Sequence, residues 1–463
     1  MKQLASRDAA YLYLGDAHRT STIVSCWVVA ERHGAPATIS ADQVVGRMAT
    51  AASQADVFAA VLVRLPLDID LPYWRLDPDF DVRDHIVFHH DVADWSQARD
   101  RLSDIAARPL DRRRPLWRID ILVDVEGMPG RTGLSTVVAM MFHHAAFDGV
   151  TFAHLTNTYL DDAPFPWPYD AEANRIGSDV VARSRLTTRA LVRQPVMWGR
   201  CVRALTQAVA EARRSPQPPL KASSTPTVFG DPVRGVRRTD YTILSLTDVK
   251  AIKNRIPGAK VNDVLLSIIG GAMVAHTGVD ASTSRSLVAL VPVSTRTLDA
   301  AGAVNQFVPT MVDMHTDEAR PEVRIAAIAR SSQDAKAAAM ASALGQGAGL
   351  LNVMPALLLR VVGVIARLVG RVVPSSVRSP ADAVVANVYS PYSINSMFGM
   401  PVVGGFGIQP LDTPTLAHGV YSRDDQLFIS VTTDSAVLAD QTPYLDAIAG
   451  SFARHLRILE GDG

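Results

Sequence analysis

The segment Ser135-Thr136-Val137-Val138-Ala139-Met140-Met141-Phe142 constrains this chain more than any other. Eight residues without a charge predict a buried strand, and a buried strand needs neighbouring layers to cover it. It runs directly into His143-His144-Ala145-Ala146-Phe147-Asp148-Gly149, and then into Val150-Thr151-Phe152-Ala153-His154-Leu155, which opens a predicted helix. Two imidazoles and a carboxylate therefore stand where a buried strand ends and a helix begins. At such a junction rigid elements hold the reactive groups while the loop exposes them. Imidazole is the side chain whose ordinary pKa suits taking and returning a proton near neutrality. His144 lies four residues before Asp148, close enough for the carboxylate to orient the ring or shape the loop. A plainer reading is equally open on these residues alone: a histidine pair plugs the strand end and Asp148 caps the helix.

At 463 residues the chain is long for one domain and comfortable for two. Lys plus Arg and Asp plus Glu balance at 46 each, so no bulk basic field calls for nucleic acid. Cys26 and Cys201 show neither metal spacing nor a disulfide framework, and the N-terminal residues lack the apolar core of a signal peptide. A cytoplasmic location is the expectation. Leu350 to Val373 is apolar but contains Pro355, Arg360, Arg367 and Arg371, so it is no clean membrane span. Its arginines share one helical face opposite Leu and Val. That pattern fits a core helix with a solvated stripe, or a helix that lies on lipid or lines an acyl tunnel.

Strand-like and helix-like pieces alternate through the first part of the chain. Thr22 to Glu31 is β-branched, Ala41 to Ala52 is amphipathic, and Trp117 to Val125 alternates with period two. Arg213 to Arg238 holds five prolines and many basic residues and reads as a linker. Strand and helix patterns resume at Tyr241–Leu246, Val261–His276, Leu287–Val293, Val384–Val388 and Leu427–Thr433. The predicted organisation is an N-terminal half over 1–175, a crossover helix and linker over 176–240, and a C-terminal half over 241–463. Two α/β halves of similar size predict a sandwich of two halves with a cleft or tunnel between them.

Several chemistries lack their motifs: there is no Gly-rich phosphate loop, G-x-S-x-G elbow, C-x-x-C pair or H-E-x-x-H. Gly404-Gly405-Phe406-Gly407 opens no recognisable helix. A proton-transfer enzyme without a resident metal or cofactor remains. His89-His90-Asp91-Val92-Ala93-Asp94 also carries two histidines and an aspartate, but no glycine follows and polar residues come soon after. It reads as a surface strand-to-helix loop.

The block His143 to Gly149 resembles the HHxxxDG signature of the CoA-dependent acyltransferase superfamily, which includes chloramphenicol acetyltransferases and peptide-synthetase condensation domains. The rest of the chain resembles one branch of it, the bacterial wax ester synthase/diacylglycerol acyltransferases of the mycobacterial type. Asp8-Ala9-Ala10-Tyr11-Leu12 looks like their D-A-x-F-L piece and Arg114-Pro115-Leu116-Trp117 like their R-P-L-W. Asn262-Asp263-Val264 is similar to their N-D-V helix start, and Val291-Pro292-Val293-Ser294-Thr295-Arg296 to their V-P-V-S-x-R strand. Asn387-Val388 falls where the family has S-N-V-P-G-P. The chain departs from the pattern at Arg118, where the family has Glu, at Val304-Asn305-Gln306, and at Tyr389-Ser390-Pro391.

The resemblance implies an α/β fold of two chloramphenicol-acetyltransferase-like halves and an acyl-CoA-dependent O-acyltransferase that esterifies diacylglycerol to triacylglycerol. His144 would be the general base, His143 a supporting residue and Asp148 a structural carboxylate with Arg296 as its ion-pair partner. Gly149 would allow close backbone approach, and Asn262 would be a polar group near the reacting carbonyl. Pro115, Leu116, Trp117 and Asn387 would border the substrate tunnel, although core packing serves Pro115 and Trp117 as well. Acyl-CoA would be a co-substrate, with no metal and no bound cofactor. A peripheral site at the inner membrane or on lipid inclusions is implied. Alternatives are a wax ester synthase using long-chain alcohols, transfer to another lipid or polyketide hydroxyl, and a catalytically weak lipid-binding paralogue.

Overall fold

The computed structural model describes residues 1–15, 21–30, 39–147, 149–163, 172, 174–177, 181–214, 229, 233–278, 286–294, 307–345, 350–372, 381–387, 394–411 and 414–460. Two six-stranded sheets organise them. The first runs, from edge to edge, Ser396–Met397, Met400–Ile408, Thr22–Ala30, Ser135–His143, Trp117–Val125 and Ile86–His89. The second runs Phe307–Asp313, Val288–Ser294, Ala383–Asn387, Leu416–Arg423, Gln426–Asp434 and Arg237–Ser245. A small third sheet joins Lys2–Gln3, Tyr73–Leu76 and Ala60–Val63.

The Ser135–His143 strand is buried at every residue because both faces of its sheet are covered. Val138, Met140 and Phe142 enter one apolar cluster, while Val137, Ala139 and Met141 enter another. This explains the unbroken apolar run, since a strand covered on one face alternates with polar residues. The first cluster packs under the helices Ser6–Leu14, Ala41–Gln54, Gly149–Tyr159 and Ala356–Val372. Ser40 starts the second of these with a capping box: its hydroxyl accepts from Gln43 N at 3.2 Å, and Gln43 Oε1 accepts from Ser40 N at 3.1 Å.

The second cluster joins the halves. Trp95 of the helix Trp95–Ala107 meets Tyr241 edge-on at 5.3 Å, and Tyr241 stacks on Phe406 at 4.8 Å. Asp240 accepts from Trp95 Nε1 at 3.1 Å and from Arg99 at 2.5 Å. Arg237 is fully buried and donates to Thr22 O at 2.9 Å, to Thr22 Oγ1 at 3.0 Å and to Ala106 O. Burial lowers its pKa to about 10. A guanidinium left in that position without these acceptors would be strongly unfavourable, so the contacts hold the second sheet against the start of the first.

The halves do not follow the chain order expected from residues 1–175 and 241–463. Ser396–Met397 and Met400–Ile408 leave the C-terminal part and join the first sheet, where Phe406 pairs with Cys26 and Gly405 with Trp27. The glycine cluster makes this possible. A Cβ on Gly404 would lie 2.8 Å from the Phe428 ring, so glycine lets the second half close over the strand. The second sheet begins at Arg237, inside the segment expected to be linker. The crossover helix is Arg183–Arg214, 32 residues with Pro195 inside it.

The stretch from Leu350 departs from the reading of a core helix with a solvated arginine stripe. Pro355 divides it into Leu350–Val353 and Ala356–Val372. Its outward side is apolar, with Leu357, Val361, Val364, Ile365 and Leu368 exposed, while Arg360 folds down onto buried Asp68 at 3.2 Å. The Arg367 and Arg371 side chains lie outside what is described. No helix among the described residues is long and apolar enough to cross a membrane.

Candidate active site

The histidine strand ends between two partners. Thr22 pairs with His143 on one side, and Leu116 O accepts from His143 N at 3.1 Å on the other. His144 N donates to Ser21 O at 2.8 Å, and the chain then turns, with Ala146 N donating to His143 O at 2.9 Å. The loop is thus fixed by its own backbone before any side chain acts.

The two imidazoles have different surroundings. His143 is 4% exposed, and its Nδ1 accepts from Ala145 N–H at 3.0 Å. Burial, assisted by the charges of Arg112 and His144, pushes its pKa down to about 3, so the ring stays neutral near neutrality. His144 is only partly buried and stacks on Tyr11 with ring centroids 4.8 Å apart and planes at 20°. Tyr11 stands in the Asp8–Leu12 piece noted in the sequence, on the helix Ser6–Leu14. Sequence alone assigned it no contact with the histidine loop.

A cavity of about 140 Å³ lies between the halves; Phe142, the residue before the histidines, lines it, and the histidines themselves do not. Ile23, Trp27, Phe142 and Phe152 contribute from the first half, Tyr421 and Phe428 from the second. Phe142 and Phe152 stack at 3.8 Å, so the residue just before the histidines and the helix just after them form one wall. The wall also holds Asn157, whose Nδ2 donates to Ala153 O at 2.7 Å while its Oδ1 is buried with no hydrogen-bond partner among the described residues. An unpaired buried acceptor is unfavourable, and a ligand hydroxyl would satisfy it. Sequence reasoning missed Asn157, which stands four residues after Ala153, another lining residue, and so on the same helix face.

The other expected residues divide into three groups. Gly149 begins the helix Gly149–Tyr159, while Asp148 and Arg296 lie outside the described residues, as do Val304-Asn305-Gln306 and 388–393. Leu116 and Trp117 sit beside the histidines but point into the core: Trp117 is fully buried, donates Nε1 to Phe58 O at 2.7 Å and stacks on His85 at 4.6 Å. Like the histidines, they and Pro115 are not among the described residues lining this cavity. Asn262 and Asn387 belong to the second half. Asn262 stands at the start of Val261–Thr277 with a buried Oδ1 that has no hydrogen-bond partner among the described residues, and Asn387 is exposed at the end of Ala383–Asn387, away from the cavity lining. Arg118, where the chain departs from the family pattern, forks onto fully buried Asp120 at 2.8 and 2.5 Å.

No group of metal-ligating side chains occurs among the described residues. The site therefore consists of an accessible imidazole, a rigid loop and an apolar cavity with a few polar groups. That combination suits proton transfer to or from a ligand lying against an apolar wall.

Comparison with protein-family models finds the wax ester synthase/diacylglycerol acyltransferase catalytic domain over residues 4–265 and the WS/DGAT C-terminal domain over 304–455. Two Mycobacterium tuberculosis proteins named as diacylglycerol O-acyltransferases are similar. One is 27% identical over 350 residues, covering 73% of this chain and 67% of the relative. The other is 25% identical over 412 residues, covering 85% and 83%. The fold matches that of the wax ester synthase/diacylglycerol acyltransferase from Marinobacter aquaeolei VT8 with a TM-score of 0.64, at 18% identity over 99% of this chain and 100% of that one. It also matches a trichothecene 15-O-acetyltransferase from Fusarium sporotrichioides with a TM-score of 0.60, at 12% identity over 98% and 94%. Two consecutive family domains span most of the chain, and the first contains the histidine loop, so this protein is an acyltransferase belonging to the wax ester synthase/diacylglycerol acyltransferase family.

Proposed function

We propose that this chain transfers an acyl group from acyl-CoA to the free hydroxyl of a diacylglycerol, with His144 as general base. The observation that carries this reading is the unequal environment of the paired imidazoles. His143 is buried with Nδ1 engaged by Ala145 N–H, whereas His144 is partly accessible at the end of the strand that walls the apolar cavity. In the reaction, His144 takes the hydroxyl proton as the alcohol oxygen attacks the thioester carbon. The C–S bond then breaks, and the protonated imidazole returns that proton to the leaving thiolate. General-base catalysis of this kind contributes roughly 10²–10⁴-fold. Asn157 would accept a hydrogen bond from the acceptor alcohol, and Asn262 would stand near the carbonyl. Asp148 with Arg296 would hold the loop from behind.

Diacylglycerol is chosen over a long-chain alcohol because the similar mycobacterial proteins are named for that acceptor. Competition between diacylglycerol and hexadecanol for palmitoyl-CoA tests the choice: preferential wax ester formation would overturn it. His144→Ala tests the base. Retained acyl transfer in a normally folded variant would refute the assignment.

Such substrates reside in lipid, and two helices support docking on a lipid surface. Leu191, Trp198, Val202, Leu205 and Val209 form an exposed stripe along Arg183–Arg214, with Arg189, Arg193, Arg200 and Arg203 on the other side. Exposed apolar residues of Ala356–Val372 add a second face, and the residues Leu350–Val353 pack against the first helix. An apolar stripe backed by arginines suits the boundary of an anionic membrane. Substituting Leu191, Val202 and Leu205 with Ser should weaken flotation on anionic vesicles, and unchanged flotation would argue against docking through this helix.

A further inference from the structure

A second cavity, about 460 Å³ in volume, is lined in part by the helix that carries Tyr11. Tyr13, Arg64, Leu67, Asp68, Arg112 and Arg360 are among its lining residues, which come from four separate parts of the first half. Among the described lining residues Asp68 is the one carboxylate beside three guanidinium groups, so this part of the concave wall is positively charged. The arrangement is built. Asp68 is 4% exposed and receives Arg64 through both oxygens at 2.9 and 2.7 Å, Arg360 at 3.2 Å and the Tyr13 hydroxyl at 3.1 Å. Arg112 is anchored by donating to Leu12 O at 2.8 Å.

Both Arg64 and Arg360 keep about half of their side-chain surface exposed, at 48% and 50%, although each is held by Asp68. A guanidinium has five N–H groups, and the bonds to Asp68 use only part of each set. The carboxylate therefore orients two forks whose remaining donors reach the cavity. Planar forks of this kind match phosphate oxygens and bind them bidentately. The volume exceeds what a bare ion needs and falls within the range of small-molecule sites.

The position ties this cavity to the reaction. Tyr11 stacks on His144, and two residues later on the same helix Tyr13 lines the arginine cavity. Gly363 brings the Ala356–Val372 helix so close to the Tyr13 backbone that a Cβ there would overlap it, which delivers Arg360 to the site. Exposed Leu67, at 77%, stands on the rim beside the outward apolar stripe of that helix.

We propose that the cavity bounded by Arg64, Asp68, Arg112 and Arg360 binds the phosphate ester of an anionic ligand of this acyltransferase. Arg64 and Arg360 grip its oxygens. Two sources carry that chemistry, the phosphates of coenzyme A and the headgroup of an acidic lipid. The first deepens the acyl-CoA reading above, and the second stands without it.

The test uses Arg64→Gln and Arg360→Gln, with Arg360→Lys as the charge-retaining control and thermal unfolding to establish that each variant folds. Calorimetric titration with coenzyme A and with pantetheine forms one arm. Flotation on phosphatidylcholine vesicles with and without phosphatidic acid forms the other. Loss of one charge-assisted contact should weaken binding about tenfold, with Lys retaining part of it. Weaker coenzyme A binding with unchanged pantetheine binding assigns the phosphate to coenzyme A. Weaker retention on phosphatidic acid vesicles alone assigns it to a lipid headgroup. Unchanged behaviour in both arms, or an equal loss for pantetheine, overturns the site. If the Gln variants fail to fold, the parent protein decides: millimolar pyrophosphate should raise its unfolding temperature beyond the effect of sodium chloride at equal ionic strength, and no such rise overturns the proposal. Because pyrophosphate carries no acyl group, this result does not depend on which substrate the enzyme uses.

Discussion

Two loops in this protein begin with paired histidines after a strand, and they have different fates. At His89-His90 the strand is Ile86–His89, an edge of the first sheet, and His90 is exposed. His89 turns inward, its Nε2 2.8 Å from Asp120, and Arg101 meets its Nδ1 at 2.6 Å. Asp94 caps the next helix by accepting from Gln97 N at 2.9 Å. At His143-His144 the strand lies in the middle of the sheet and is covered on both faces, so the first ring is buried, while the second is partly buried and stacks on Tyr11. The lesson concerns position in the sheet. An edge strand lets its histidine join a charged network, whereas a central strand surrounds its histidine with apolar layers and keeps it neutral.

The largest effect expected from this contrast is on catalysis. His144→Ala should lower acyl transfer by about 10²–10⁴-fold with little change in unfolding temperature, while His90→Ala should leave both unchanged. Similar losses in the two variants would erase the distinction. Next comes Asp120→Ala, which strands Arg118 and His89 around a fully buried position. It should destabilise the protein by about 3–5 kcal/mol in urea unfolding, and a near-neutral result would mean the network is dispensable.

A smaller effect should follow from Gly404→Val. Its side chain would press on the Phe428 ring and narrow the cavity that Phe142 and Phe428 line, lowering stability by about 1–3 kcal/mol. Urea unfolding measures the change, and an unaltered midpoint would mean that the ring moves aside at no cost. The smallest effect is in pH dependence. The folded pKa of His143 lies near 3, below its ordinary value of 6.5. The unfolded chain therefore binds a proton first. The contribution of this ring to stability is complete above about pH 6.5 and declines as pH falls toward 3. His143→Asn, whose amide oxygen can still accept from Ala145 N–H, should flatten that slope by at most about 1.4 kcal/mol per pH unit. An unchanged slope would show that His143 is not protected.

Much of this was legible in the sequence because it is local. The unbroken apolar run before His143, the amphipathic Ala41–Gln54 helix and the period-two pattern of Trp117–Val125 all became the elements they predict. The likeness at His143–Gly149, Arg114–Trp117 and Asn262–Val264 pointed to the family that the domain matches identify. Residues defined by distant contacts were not legible. Arg237 lies in a basic, proline-rich stretch, yet it is buried against Thr22, the strand partner of His143. Asn157 and Tyr11 become site residues only when the loop folds between them.

Sequence alone determined the strand, the turn and the identity of the groups at its end, since backbone periodicity and side-chain chemistry are written residue by residue. Tertiary structure decided what those groups can do. It sent the Met400–Ile408 strand into the opposite half, turned Trp117 into core, faced the Leu and Val of Ala356–Val372 outward and gathered three arginines around Asp68. Burial and electric field depend on which segments meet in space, and a chain of 463 residues offers many pairings that the same local pattern would permit.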